Sequence, residues 1–220
     1  HGTNRRQRQM CIRDSLNTGK LAGIQTLISR KGKIVHFNSI GKSDVEKSKN
    51  IKSDTIFRIY SMTKPITSVA LMQLHEQGLF QLADPVGKFL PEFKNSKVFL
   101  QGSFPNFLTT PAKRDMTVRD LLSHTSGLTY GFHYQTNIDH AYRKVWAGSK
   151  EEESDFNMPP MDLKTFSETI AKIPLEFSPG DRWNYSVSTD ICGRLIEVLS
   201  GLSLQEYFKK YIFKPHEMID

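Results

Sequence analysis

The sequence contains a serine and a lysine, Ser61 and Lys64, whose types and spacing could support nucleophilic chemistry. Residues three apart on a helix lie on one face, so the hydroxyl and the amine can share a hydrogen bond. A serine is a weak nucleophile until a base removes its proton, and a lysine acts as that base only where burial and neighbouring positive charge keep it neutral. A helix start adds backbone N–H groups that stabilise developing negative charge. The spacing alone is equally typical of a helix cap beside a solvated lysine.

The same four-residue pattern occurs a second time, as Ser39-Ile40-Gly41-Lys42. This serine comes at the end of a β-branched run, and Gly41 separates it from the lysine. No helix is therefore predicted to align the two side chains. We interpret the second match as chance and use it as an internal control.

Other familiar sites are absent from the sequence. It has no Gly-x-Ser-x-Gly nucleophile elbow and no glycine-rich phosphate loop. His75-Glu76 and His216-Glu217 lack the second histidine that a zinc-binding helix needs, and Cys11 and Cys192 have no metal-ligand spacing. We therefore predict no metal and no cofactor.

The Ser61–Lys64 pair is predicted to begin a helix that runs to about Gln77 and ends at Gly78. Apolar residues occur on most sides of this segment, which is typical of a helix buried in the centre of a domain. Pro65 is compatible with the prediction because it falls near the first turn, where backbone N–H groups have no helical acceptor.

The other predicted elements begin at turn or capping residues. They are a hairpin of strands 24–29 and 33–40, three helices capped by Thr117, Asp162 and Ser203, and a helix that starts at Ser188 or Thr189. The capped helices are predicted to end near Gly127, Pro174 and Pro215, and the helix from Ser188 or Thr189 at Gly201. Residues 92–116 are predicted as loop, and residues 129–161 as a long irregular excursion that shapes a substrate entrance. Two strands make a poor sheet, so we expect further strands beyond Asp220.

The composition is that of an ordinary globular protein of 220 residues, of which 38% are hydrophobic and 24% charged. It excludes collagen-like, fully disordered and disulfide-framework proteins. No apolar stretch is long enough to cross a bilayer, so no membrane span is predicted. The sequence predicts neither a cellular compartment nor an oligomeric state.

The formal charge of +7 is concentrated in part in residues 1–15, which hold four arginines and one aspartate. Without them 26 basic residues face 22 acidic ones with no clustering, so nucleic-acid binding is not predicted. The stretch NRRQRQMCIRDS has no apolar periodicity and resembles translated sequencing-adapter sequence; the alternative is a disordered basic arm. We therefore treat residues 1–15 as a non-native or disordered arm and residues 16–220 as the domain.

Several blocks of the sequence resemble the serine β-lactamase-like and penicillin-binding-protein-like hydrolases. The resemblance extends from about Gly23 to Asp220, and the blocks occur in the same order as in that family. The blocks are TIFRIYSMTKPIT at 55–67, LFQLADPVGKFLP at 79–91, DLLSHTSGL at 120–128, PGDRWNYS at 179–186 and the stretch 193–215. The words YSMTK at 60–64 and YSV at 185–187 are most similar to the β-lactamase-fold carboxylesterases. The resemblance implies an α+β fold (an α/β sandwich) in which helices flank an antiparallel sheet. It also implies a helical subdomain at roughly 80–180 and C-terminal strands that are missing from this chain.

Roles for individual residues follow from the resemblance by matching position. Ser61 would be the acylated nucleophile, with its backbone N–H as half of the oxyanion hole, and Lys64 would be its base or proton relay. Tyr185 would lie against both, pass a proton to the leaving alcohol and later activate the deacylating water. His124 is treated as structural rather than as a triad base. The implied substrate is a small-molecule ester or amide.

Two departures from the family pattern bear on the reaction. Val187 stands where class C β-lactamases carry an asparagine that helps to hold the β-lactam amide, which favours simple esters. A third family motif would lie beyond Asp220, so we expect this polypeptide by itself to be inactive and unstable. The sequence predicts a carboxylesterase that acts on short acyl esters through an acyl-enzyme at Ser61. The alternatives are a β-lactamase or D-amino-acid-type peptidase, and a non-catalytic binding protein that retains the fold.

Overall fold

The computed structural model describes residues 14–16, 18–147 and 161–218. The chain divides into two compact units, His1–Ile59 and Tyr60–Asp220. Of the predicted arm at 1–15 only two residues are described, and the domain 16–220 with its helical part at 80–180 stays a prediction. Among the described residues, no helix has both the length and the apolar character needed to cross a membrane.

The first unit contains an antiparallel sheet of β1 (Gly23–Arg30), β2 (Lys33–Asp44) and β3 (Lys49–Asn50), in that spatial order. The predicted hairpin is confirmed by the pairing of β1 with β2. Its turn places Lys31 and Gly32 at φ values of 50° and 73°. Two consecutive left-handed residues give a turn whose twist matches that of the strands.

The second serine–lysine pattern lies within β2, where residues three apart point to opposite faces of the sheet. Lys42 Nζ donates to Asn50 Oδ1 at 2.8 Å, and Ser39 Oγ accepts from Gln25 Nε2 at 3.1 Å. The two side chains therefore have separate partners. This geometry agrees with the interpretation of the pattern as chance.

The second unit is built from helices and one hairpin. The helices are α1 (Thr63–Glu76), α2 (Val118–Leu122), α3 (Asn137–Ala147), α4 (Leu163–Ile170), α5 (Ser188–Ser200) and α6 (Leu204–Tyr207), which continues as a π-helical segment, Phe208–Phe213. The core includes Leu71 and Leu74 of α1 and Ile191 and Leu195 of α5, all buried. Each such side chain contributes about 1.5–3 kcal/mol by leaving water.

Helix α1 differs from the prediction in how much of it is covered. Thr67, Ala70, Leu71 and Leu74 are buried, whereas Val69 is 54% exposed. The buried residues recur every three or four positions, which places them on one face of the helix. Within the described residues, α1 is therefore buried along one face rather than on most sides.

The prediction of loop for residues 92–116 is wrong in part, because a hairpin of β4 (Lys97–Ser103) and β5 (Asn106–Pro111) lies there. The rings of Phe99 and Phe107 pack edge to face across it, 5.7 Å apart between centres. Phe99 N also donates to the carbonyl of Leu175 at 2.9 Å. Cross-strand and long-range contacts stabilise these strands. Such contacts cannot be predicted from a local composition rich in proline and lysine.

The segment 129–161 is also more regular than predicted, because α3 occupies part of it. Ile138, Ala141 and Tyr142 are buried at helical spacing, and the Asp139 carboxylate accepts from Thr129 Oγ1 at 2.7 Å. Residues 148–160 of the predicted excursion lie outside the described residues.

The predicted helix caps are confirmed. Thr117 with Asp120 and Ser203 with Glu206 form capping boxes, and the Asp162 side chain accepts from Thr165 N at 2.7 Å. These reciprocal bonds satisfy N–H groups that a helix start leaves without partners. The starts of these three helices were therefore predictable from the sequence, whereas α5 begins at Ser188 without a side-chain cap.

Asp120 carries a stability prediction because its carboxylate is buried and fully paired. It accepts from Arg114 at 2.7 and 2.9 Å, from Thr117 and from Thr125. Burial opposes ionisation, but these bonds outweigh it and lower the pKa of Asp120 from 3.8 to about 2. A lowered pKa stabilises the fold above the unfolded value, and the contribution is lost as the pH falls toward the folded one.

We therefore expect Asp120→Asn to lower the free energy of unfolding by about 2 kcal/mol at pH 7, measured by urea denaturation. The difference from wild type should shrink as the pH falls from about 4 towards 2. Glu168→Gln, which removes the exposed Lys164 pair, should change stability by less than about 1 kcal/mol. An Asp120→Asn deficit that persists at pH 2 would contradict the assigned cause.

Candidate active site

Ser61 lies in a 3₁₀ turn, Tyr60–Met62, that leads directly into α1. Tyr60 has a φ of 45°. A bulky residue in this left-handed region stores strain of order 1–3 kcal/mol, and such strain concentrates at functional sites. One turn further on, Lys64 Nζ donates a hydrogen bond to Ser61 Oγ at 3.3 Å. The predicted spacing therefore brings the hydroxyl and the amine into contact.

Tyr185 reaches the same hydroxyl from the irregular segment that precedes α5. Its phenol donates to Ser61 Oγ at 2.7 Å, and Lys64 Nζ lies 4.7 Å from the centre of its ring. His133 Nε2 donates to the backbone carbonyl of Tyr185 at 2.7 Å and so holds this segment. The three residues expected to act together thus meet at one oxygen atom, and their catalytic roles stay a prediction.

The pKa of the Tyr185 phenol lies below its ordinary value. Burial acts to raise this pKa, but the hydrogen bonds with Lys64 and Ser61, together with the charge of Lys64, outweigh burial. A phenol in this environment loses its proton at a lower pH than a free tyrosine. In the phenolate form it can accept a proton from the serine.

Aromatic rings surround the Tyr185 phenol. The ring centres of His124, Tyr130 and Trp183 lie 5.0, 5.4 and 6.5 Å from that of Tyr185. Trp183 is 67% exposed and offers apolar surface to a molecule that approaches from solvent. Lys64 Nζ lies 5.5 Å from the centre of the Tyr130 ring, so the ammonium faces two aromatic rings.

His124 supports the segment that carries Tyr185. Its Nδ1 shares a hydrogen bond with Ser186 Oγ at 3.2 Å, and its backbone carbonyl accepts from Asn184 N at 2.8 Å. Burial, with the nearby charge of Lys64, lowers the pKa of the imidazole. These contacts agree with the structural role that the family resemblance implied.

Two residues of the cluster, Tyr130 and Asp190, were not predicted from the sequence. The Tyr130 hydroxyl donates a hydrogen bond to the Asp190 carboxylate, and the positive charge of Lys64 interacts electrostatically with the same carboxylate. Burial raises the pKa of Asp190, and the attraction of Lys64 opposes this effect. The sequence contains only a weak indication that Asp190 belongs to the site. An aspartate in the first turn of a helix is common because it interacts favourably with the helix dipole.

The cluster places a nucleophile beside groups that could activate it for covalent catalysis. It combines a hydroxyl, an adjacent phenol of lowered pKa and a cation, all within hydrogen-bonding reach. In the part of the chain that the structure describes, no group of three or more histidine, cysteine, aspartate and glutamate side chains could hold a metal ion.

These elements define a protein of the β-lactamase/transpeptidase-like fold, with antiparallel sheets and helices, and the predicted fold class is confirmed. Residues 9–220 match the β-lactamase family, and the chain belongs to that family. The resemblance stated from the sequence motifs is confirmed as well.

Similar proteins include enzymes that are named for ester chemistry. Esterase EstB of Burkholderia gladioli is 30% identical over 206 residues, which cover 94% of this chain and 48% of EstB. Protein Rv1367c of Mycobacterium tuberculosis is 32% identical over 212 residues, or 96% of this chain and 50% of that protein. The structure of EstCE1, a hydrolase with promiscuous acyltransferase activity, aligns with a TM-score of 0.75 and 26% identity over 94% of this chain and 50% of EstCE1. The chain therefore spans about half the length of these relatives.

Proposed function

We propose that the protein is a serine hydrolase that forms an acyl-enzyme at Ser61, and that it acts as a carboxylesterase on short acyl esters. The observation that carries this proposal is the convergence of Tyr185 and Lys64 on Ser61 Oγ, at 2.7 and 3.3 Å. Membership of the β-lactamase family and the similarity to EstB support it.

The proposed reaction uses Tyr185 to move one proton in each step. The Tyr185 phenolate accepts the proton of Ser61, and Oγ attacks the carbonyl carbon of the ester. When the tetrahedral intermediate collapses, the phenol donates that proton to the leaving alkoxide. The phenolate then accepts a proton from water, whose hydroxide attacks the acyl-enzyme, and the phenol returns the proton to Ser61 Oγ. The Lys64 ammonium stabilises the phenolate throughout.

The environment of Val187 supports esters rather than β-lactam amides as substrates. This side chain is 1% exposed and packs in the core, so position 187 presents no polar group to a substrate amide. Class C β-lactamases carry at this position an asparagine that helps to hold the β-lactam amide, whereas an ester has no amide N–H group for such an asparagine to bind. A penicillin is therefore expected to be a poor substrate.

Acyl transfer to an alcohol is a second candidate reaction. EstCE1 is described as having promiscuous acyltransferase activity, and an acyl-enzyme at Ser61 would be attacked by an alcohol through the same proton path as by water. The exposed indole of Trp183 beside Tyr185 offers apolar surface for such an acceptor. Product analysis with added short alcohols would reveal ester exchange.

Labelling of the full-length protein with a fluorescent alkyl organophosphonate tests the proposal. We expect one phosphonyl group per molecule on the peptide that contains Ser61, located by mass spectrometry, and no label in Ser61→Ala. Ser39→Ala is the matched control, because it removes the serine of the second pattern and should label like the wild type.

The outcomes separate the competing functions. Label on Ser61 together with fast turnover of short aryl esters supports the esterase, whereas rapid turnover of a penicillin supports a β-lactamase. A folded wild-type protein that binds ligands but takes up no label at any pH from 6 to 10 would support a non-catalytic binding protein.

A further inference from the structure

A polar cavity lies beside the segment that carries Tyr185, and the proposed mechanism does not use it. Its volume is about 230 Å³. Drug-sized pockets measure roughly 300–1,000 Å³, so this one fits a single small ring or a short chain. Its walls include His133, Glu176, Arg182, Trp183 and Asn184. Because Trp183 and Asn184 directly precede Tyr185, the cavity borders the residue that gives the leaving alcohol its proton in the proposed reaction.

The cavity has hydrogen-bond acceptors that protein groups use only in part. One oxygen of the Glu176 carboxylate accepts from Thr136 Oγ1, which leaves Oε2 for a ligand. The Asn184 side chain donates through Nδ2 to the carbonyl of Leu128 at 3.1 Å, which leaves its amide oxygen as a second acceptor. His133 is held by its bond to the carbonyl of Tyr185 at 2.7 Å, so this wall of the cavity is fixed to the segment of the phenol.

The charges of the cavity favour a neutral ligand. The Arg182 guanidinium lies 4.7 Å from the centre of the Phe177 ring, and the ion pairs among the described residues do not include it. It is a hydrogen-bond donor whose positive charge balances the negative charge of Glu176. The Asp139 carboxylate already accepts three hydrogen bonds from the protein, at 2.7, 2.9 and 3.1 Å. Since a hydroxyl group both donates and accepts, a molecule with several hydroxyl groups matches this mixed set.

Trp183 adds an apolar face to the same cavity. Its indole is 67% exposed and stacks against the ring of Tyr185, with 6.5 Å between the ring centres and 26° between the planes. The C–H face of a sugar ring is apolar and can pack against an indole, while its hydroxyl groups point outward to polar partners. An exposed tryptophan next to a carboxylate, a guanidinium and an amide therefore suits a sugar or another polyol.

We infer that this cavity is a subsite for the alcohol part of the substrate, and that this alcohol is a polyol or a single sugar ring. The inference rests on the proposed function and specifies its leaving group: the substrates are short acyl esters of hydroxyl-rich alcohols. As the acyl carbon bonds to Ser61 Oγ, its bond to the sugar oxygen breaks, and that oxygen leaves with the proton of Tyr185.

Binding to the full-length Ser61→Ala protein tests the subsite without any acyl-enzyme. Isothermal titration calorimetry with methyl glucoside and with glycerol should detect binding, and the comparison distinguishes a ring from an open polyol. Glu176→Gln in this background should weaken binding roughly tenfold, because it removes a charged acceptor. Glu168→Gln is the matched control, since it makes the same change at an exposed carboxylate that pairs with Lys164, and it should bind like its parent.

Turnover tests whether the bound polyol is the leaving group. Methyl 6-O-acetylglucoside and 4-nitrophenyl acetate carry the same acyl group, so the ratio of their kcat/KM values reports on the alcohol alone. This ratio should fall roughly tenfold in Glu176→Gln and in Arg182→Gln and stay at the wild-type value in Glu168→Gln. A general defect of folding slows both esters and leaves the ratio unchanged.

Each outcome decides between the two proposals. Absence of binding by both polyols, or binding and a ratio that folded Glu176→Gln leaves unchanged, overturns the inference and leaves Ser61 as the proposed nucleophile. If Glu176→Gln does not fold, Arg182→Gln at its exposed position decides in the same way. Polyol binding that depends on these residues, in a wild-type protein that takes up no label on Ser61, overturns the proposed function but supports the polyol site.

Discussion

Tyr185→Phe in the full-length protein should lower kcat/KM for a short aryl ester by about 10²–10⁴-fold, the usual size of a general acid–base contribution. The substitution removes only the hydroxyl that lies 2.7 Å from Ser61 Oγ and keeps the ring that packs against Tyr130 and His124. Without the hydroxyl, the proposed path that takes the serine proton and returns it to the leaving alkoxide is lost. Initial rates at saturating and limiting ester concentration would measure the effect.

The matched control for this variant is Tyr211→Phe, which removes a phenol hydroxyl from a residue that packs against Tyr207. We expect its kcat/KM to stay within about twofold of wild type, as for surface changes away from a site. Urea denaturation of Tyr185→Phe should give a free energy of unfolding close to that of wild type. A Tyr185→Phe protein that keeps more than a tenth of the wild-type rate would exclude Tyr185 as the proton carrier.

Lys64→Gln is the second substitution with a large expected effect, about 10²–10³-fold in kcat at pH 7. It removes the hydrogen bond to Ser61 Oγ and the positive charge that lowers the pKa of Tyr185. Because the phenolate is the reactive form, a higher pKa leaves less of it at neutral pH. The acid limb of the kcat/KM profile should therefore move to higher pH, which rate measurements across pH 6–10 would show.

Lys42→Gln provides the control for Lys64→Gln, because it alters the lysine of the second pattern in β2. Lys42 bonds Asn50 and the backbone of Ser48, so its loss should leave both rate and pH profile unchanged. An acid limb that moves to lower pH in Lys64→Gln would mean that Lys64 does not support the phenolate.

Short-range features of the site could be predicted because they depend on helical geometry alone. Ser61 and Lys64 are three positions apart, and the turn before α1 places them in contact. The capping boxes at Thr117 and Ser203 are likewise local, since each cap bonds a residue three positions on.

The role of Tyr185 was implied by family resemblance and not by any spacing in the chain. It lies 124 positions from Ser61, and no local rule connects residues at that distance. The β4–β5 hairpin was missed for a similar reason, since Phe99 and Phe107 stabilise it across strands within a composition typical of loops.

The sequence by itself determined where the helices capped by Thr117, Asp162 and Ser203 begin and which hydroxyl has an amine one turn away, because hydrogen bonds within a turn do not depend on the rest of the chain. Only the tertiary structure decided which distant groups surround that hydroxyl. The packing of α5 against α1 and the course of the segment before α5 bring Tyr185 to Ser61. Charges interact through space, so their effect on Tyr185 depends on distances that the order of residues does not specify.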